Sequence, residues 1–126
     1  MAALPEIQLH IAITVDVDPD ANRPVPGRAD AISARHDEAR HEACFRGIEV
    51  VMSALEEREL PATFFWEART AEALRRGAPA LLDRARAHPG LEHGCHGLRH
   101  EDFAGKMSGM PLDEEDTRQA LRQATE

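Results

Sequence analysis

The segment Ile7-Gln8-Leu9-His10-Ile11-Ala12-Ile13-Thr14-Val15-Asp16-Val17-Asp18 alternates without a break. The odd positions are all branched and apolar. The even positions turn from mixed to acidic towards the end. Period two over this length predicts a β-strand, because successive side chains of a strand point to opposite faces. The apolar face is suited to packing under helices. The other face brings Asp16 and Asp18 to one side at the carboxyl end. Pro19 then stops the ladder, since it has no N–H to donate.

Three prolines and Gly27 between residues 19 and 35 predict a long loop, and loops of this length inside a domain are often functional. From Asp37 to Glu59 the period becomes helical, with Phe45, Ile48, Val51, Met52 and Leu55 on one stripe. Pro61-Ala62-Thr63-Phe64-Phe65-Trp66 predicts a second, buried strand. Thr70 is placed to cap a helix reaching Arg76, and Pro79 restarts one through Ala87. Leu91 to Cys95 predicts a third strand. Asp113 is placed to cap a last helix, with Glu114, Glu115 and Asp116 at the positive end of its dipole. That helix reaches Glu126 without a Gly or Asn stop, which suggests a chain that continues.

Strands alternating with helices predict parallel βα units, the α/β class, with chemistry at the carboxyl ends of the strands. A complete (β/α) barrel needs about 250 residues, so 126 residues supply about four units at most. The formal charge of −8, from 15 basic and 23 acidic residues, argues against a nucleic-acid partner. No apolar run approaches the roughly 18 residues of a membrane span. The first residues lack the charged and apolar regions of a secretory signal. Two cysteines, Cys44 and Cys95, make no disulfide framework, so a cytoplasmic location is expected.

Two constellations carry chemistry: Asp16 with Asp18, and His96-Gly97-Leu98-Arg99-His100 directly after the third strand. If strands one and three approach each other, a carboxylate and two imidazoles converge. That donor set suits Zn²⁺, Fe²⁺ or Co²⁺ and leaves positions for water. The remaining carboxylate is then placed to accept a proton. Each feature also has a plainer reading. Acidic residues at a strand end form a solvated rim. His-x-x-x-His arises by chance among seven histidines, and His36 and His41, five apart, are a further close pair with no evident role. Cys95 reads as a small buried hydrophobe, His93 points away from His96, and Phe64 and Trp66 read as core.

Taken together, Thr14-Val15-Asp16-Val17-Asp18, Pro61-Ala62-Thr63-Phe64-Phe65 and Glu92-His93-Gly94-Cys95-His96-Gly97-Leu98-Arg99-His100 resemble, in order and spacing, the polysaccharide deacetylases. These are the NodB-homology domains of carbohydrate esterase family four. The resemblance covers the chain from Leu9 onward and implies the N-terminal half of a distorted (β/α) barrel over residues 1–126, its C-terminal half missing. It implies Asp16 as catalytic base and Asp18, His96 and His100 as ligands of a divalent metal, zinc first, with cobalt or iron as alternatives. The implied reaction is hydrolysis of a non-peptide carbon–nitrogen bond, a metal-activated water attacking an amide carbonyl. The aspartates are separated by Val17, as in a branch that includes allantoinase-like and cyclic imide hydrolases. Cys95 departs from the Ser or Asn common there. The family's acid, a later histidine, has no counterpart, because no histidine follows His100.

The implied substrate is an N-acetylated sugar or a small cyclic ureide or imide; the absence of a signal favours the latter. The alternative is an inactive or partner-dependent metal-binding half-domain, forming homo-oligomers that cover exposed strand edges. The plainest reading is a small α/β domain whose acids and histidines only face solvent.

Overall fold

The computed structural model describes residues 9–19, 38–99, 101–106 and 108–126. Its elements are β1 (Thr14–Val17), α1 (Glu38–Glu57), β2 (Ala62–Trp66), α2 (Ala68–Gly77), α3 (Pro79–Ala87), β3 (Leu91–Cys95) and α4 (Glu114–Thr125). The three strands form one parallel sheet in the order β1-β2-β3. This is the α/β arrangement of parallel βα units expected from the sequence. The loop expected over residues 19–35 lies, apart from Pro19, outside the described residues. No helix among the described residues is long and apolar enough to cross a membrane.

The register pairs Val15 with Phe64 and His93, and Val17 with Trp66 and Cys95. In a parallel sheet, residues in one row share a face. This face meets the helices. Val17, Ala62, Phe64 and Leu91 pack with Ile48, Met52 and Leu55 of α1, Leu74 of α2 and Ala85 of α3. The α1 stripe read from the sequence is therefore the core-facing side of that helix. Arg84 of α3 ties the two helices together at the rim. Its Nε and Nη2 meet the Glu56 carboxylate at 2.8 and 2.5 Å, and Nη2 reaches Ser53 Oγ at 3.1 Å. On the opposite face, Thr14, Thr63 and Glu92 form one row and Asp16, Phe65 and Gly94 another. Gly94 makes room there: a Cβ would stand 2.5 Å from Phe65 Cδ1, so a larger residue would force that ring to move.

Two expectations are corrected. The first strand is short. Residues 9–13 are described but lie outside β1, and Leu9 and Ile11 are 80% and 78% exposed. Thr63 N still donates to Ile13 O at 2.9 Å. The next residue of β1's approach, Ala12, falls opposite Pro61, which has no N–H. Pairing ends there, and the apolar alternation upstream has no sheet to join among the described residues. The second correction concerns α2, which begins at Ala68 rather than at a Thr70 cap. The Thr70 hydroxyl donates to the Glu67 carboxylate instead. Asp113 does cap α4, accepting from Asp116 N at 2.8 Å.

The end of α1 is a Schellman turn. Leu60 N donates to Leu55 O at 3.0 Å and Glu59 N to Glu56 O at 3.3 Å. Glu59 sits at φ +52°, a left-handed conformation that costs a residue with a Cβ.

Three substitutions test this fold by urea unfolding. Phe64→Ala, at a fully buried site, should lose about 3–5 kcal/mol. Ile11→Thr should stay within roughly 0.5 kcal/mol; a loss comparable to that of Phe64→Ala would mean that the strand extends upstream. Glu59→Gly should gain about 0.5–1 kcal/mol by relieving the left-handed turn, and a loss would contradict the turn geometry.

Candidate functional site

The ladder continues one residue past each strand. Glu67 N donates to Val17 O at 3.0 Å, and His96 N donates to Trp66 O at 2.8 Å. Adding one residue to the paired row Val17, Trp66 and Cys95 gives Asp18, Glu67 and His96. Three ionisable residues therefore occupy one row along the carboxyl edge of the sheet. Strands one and three are not neighbours; β2 lies between them. Adjacent strands are about 4.8 Å apart, so β1 and β3 are roughly 10 Å apart. The Asp18 and His96 side chains close that gap over the end of β2, with His96 Nε2 standing 3.7 Å from Asp18 Oδ2. Both are largely shielded, at 18% and 24% exposure.

Asp16 lies two residues back on the same strand face, about 6.6 Å along the chain, and is exposed. His100 lies outside the described residues. His93 sits on the helix-facing side, as expected. Its Nδ1 accepts from Trp66 Nε1 at 2.9 Å, and the two rings stack at 6.0 Å. Phe64 is core. Trp66 is half-buried and, with Cys95, lines a groove of about 910 Å³ beside β3, α2 and the end of α4. That groove includes neither Asp18 nor His96. Cys95 is exposed, not the buried hydrophobe expected. It falls on the row with Val17 at the outer strand, where no further strand covers it among the described residues.

Two groups escaped the sequence reading. Glu67 is fully buried and accepts from Thr70 Oγ1 in the first turn of α2. Its position was legible in principle, since Glu67 follows β2 as Asp18 follows β1. Cys44, on the first turns of α1, faces the same edge. Burial, with the nearby negative charges of Asp18 and Glu67, pushes its thiol up to about 11. Such a thiol stays protonated near neutrality and is a poor nucleophile.

Asp102 and Glu101, close to the site in sequence, are both occupied by main-chain donors. Asp102 accepts from Lys106 N at 3.2 Å and Ser108 N at 2.8 Å, which closes the loop before α4. Glu101 accepts from Leu98 N and Arg99 N.

The Asp18–His96 pair fits a divalent ion in part. A carboxylate oxygen and an imidazole nitrogen 3.7 Å apart are within the span of two bonds of about 2.1 Å to one ion. Among the described residues, no group of three His, Cys, Asp or Glu side chains stands close enough to hold a metal. His100, the third ligand that the resemblance implies, lies outside the described residues.

The Cys44 environment makes a testable claim about alkaline stability. Between pH 9 and 11 the unfolded thiol loses its proton while the folded one keeps it. Raising the pH through this window therefore favours unfolding. The urea midpoint of the parent should fall more between pH 8.5 and 10.5 than that of Cys44→Ala. Equal falls would mean that Cys44 is not shielded in this way.

Compared with protein-family models, with curated proteins and with solved structures, the chain gives no match.

Proposed function

We propose that this chain carries the base and metal positions of a metal-dependent hydrolase acting on a non-peptide carbon–nitrogen bond, similar to the polysaccharide deacetylases. The observation that supports this reading is the approach of Asp18 Oδ2 and His96 Nε2 to 3.7 Å at the carboxyl end of a parallel sheet. Chemistry gathers at that end in α/β proteins.

In this reading Asp18 and His96 hold a divalent ion together with His100. Zinc is the first choice and cobalt or iron the alternatives. When bound, the ion supplies Lewis acidity that activates water and polarises the amide carbonyl. Asp16 accepts the proton of the attacking water. Its exposure suits that task, because a group meeting substrate and water must be reachable. Glu67 stays out of direct ligation, buried against Thr70, and adds negative charge beneath the row. Neither Glu101 nor Asp102 is assigned as the acid for the leaving nitrogen, since both carboxylates are engaged by main-chain N–H groups. The resemblance to the branch with an Asp-x-Asp first motif favours a small cyclic ureide or imide over an N-acetylated sugar.

A second reading is a metal-binding domain that pairs with another chain before it turns over substrate. It is favoured by β1 and β3, each of which has one strand neighbour among the described residues, and by the exposed Leu9 and Ile11.

Zinc and cobalt titration of the parent, Asp18→Ala and His96→Ala tests the metal positions. Each variant should lose tight binding; variants that bind as the parent does would refute the site. Asp16→Asn should keep the metal and lower hydrolysis of allantoin, a dihydropyrimidine ring or N-acetylglucosamine oligomers by on the order of 10²–10⁴-fold. A metal-loaded protein that turns over none of these amides counts against the hydrolase and favours the second reading.

A further inference from the structure

The turn after β3 is held from two sides. On the sheet side, His96 N donates to Trp66 O at 2.8 Å. The carbonyls of Gly97 and Leu98 accept from Ala68 N and Arg69 N, at 3.0 and 3.2 Å. These are first-turn amides of α2, which have no partner inside their own helix. On the other side stands a single side chain. Glu101 Oε1 accepts from Arg99 N at 2.9 Å, and Oε2 accepts from Leu98 N at 3.2 Å. Two successive amides converge on one carboxylate because Gly97 turns the chain at φ +85°, a conformation that costs glycine nothing. Each residue from His96 to Arg99 thus has a main-chain tether.

The sheet and helix tethers are backbone groups that any sequence would supply. Glu101 is the side chain in this set, and it immediately follows residue 100. Bonds from N–H groups to a carboxylate are shorter and stronger than neutral ones. We propose that Glu101 is a positioning residue: by clamping the Leu98 and Arg99 amides it fixes the turn that follows His96, and so sets the geometry of that imidazole towards a divalent ion. The inference rests on the metal reading above and gives that site a device for holding its ligands. It assigns Glu101 no contact with substrate.

Two measurements on the whole protein test it. In the metal-free protein, amide hydrogen exchange of Leu98 and Arg99 should be roughly tenfold faster or more in Glu101→Ala, while β2 amides keep the parent's protection. Zinc affinity, read by chelator competition, should fall on the order of 10–100-fold, as for other groups that orient metal ligands. The cobalt absorption spectrum should change shape as well as amplitude. Glu101→Gln, which keeps one acceptor oxygen, should fall between parent and Glu101→Ala, and it serves if Glu101→Ala does not fold. Unchanged exchange at Leu98 and Arg99 overturns the clamp. Unchanged zinc affinity in a parent that binds zinc overturns the positioning role alone. A parent that binds no zinc overturns the metal reading and this role with it.

Discussion

The main-chain ladder through β2 holds the candidate site together. Val17 O takes the Glu67 amide and Trp66 O takes the His96 amide, so β2 sets both outer strands to one register. A slip of one residue on either side would turn Asp18 or His96 to the helix face. The side chains that resist such a slip are on that face: Val17, Phe64 and Leu91 against Met52 and Leu74. The apolar core and the polar edge are thus two expressions of one alternation. Hydrophobic packing fixes the register, and the register places the carboxylate and the imidazole.

Much of this was legible in the sequence. The switch from period two to a helical stripe located β1, α1 and β2, and the Asp113 cap located α4. Asp18 and His96 could be singled out because each stands at the carboxyl end of a strand read from the sequence. The limits of the reading have physical causes. Alternation tells which face a residue takes but not whether a partner strand offers an N–H, so the strand seemed to begin at Ile7 when Pro61 ends the pairing near Ile13. Thr70 looks like a cap because capping threonines bond backbone amides. Here its hydroxyl meets the Glu67 side chain, and the first amides of α2 are taken by carbonyls 29 residues away in sequence. Bonds between a side chain and a distant backbone, such as those of Glu101, leave no periodic trace. His100 lies outside the described residues.

The edge of the sheet is crowded with negative charge. Asp16, Asp18 and Glu67 stand at the ends of two neighbouring strands, with the Cys44 thiol held neutral behind them. His96 Nε2 stands 3.7 Å from Asp18 Oδ2 at this edge. In the proposed reading a bound cation brings positive charge to this same edge, apart from the groove beside β3.

Gly94 has a bearing on the site as well as on the fold. With no side chain there, the Phe65 ring leans over Gly94 on the open sheet face, in the row that also holds Asp16. The carboxylate thus stands next to an apolar floor. Any bulkier residue at 94 would push the ring off its seat, towards Asp16 or away from the sheet. The room left on the open face of the sheet is therefore set in part by a side chain that residue 94 lacks, two strands away from Asp16.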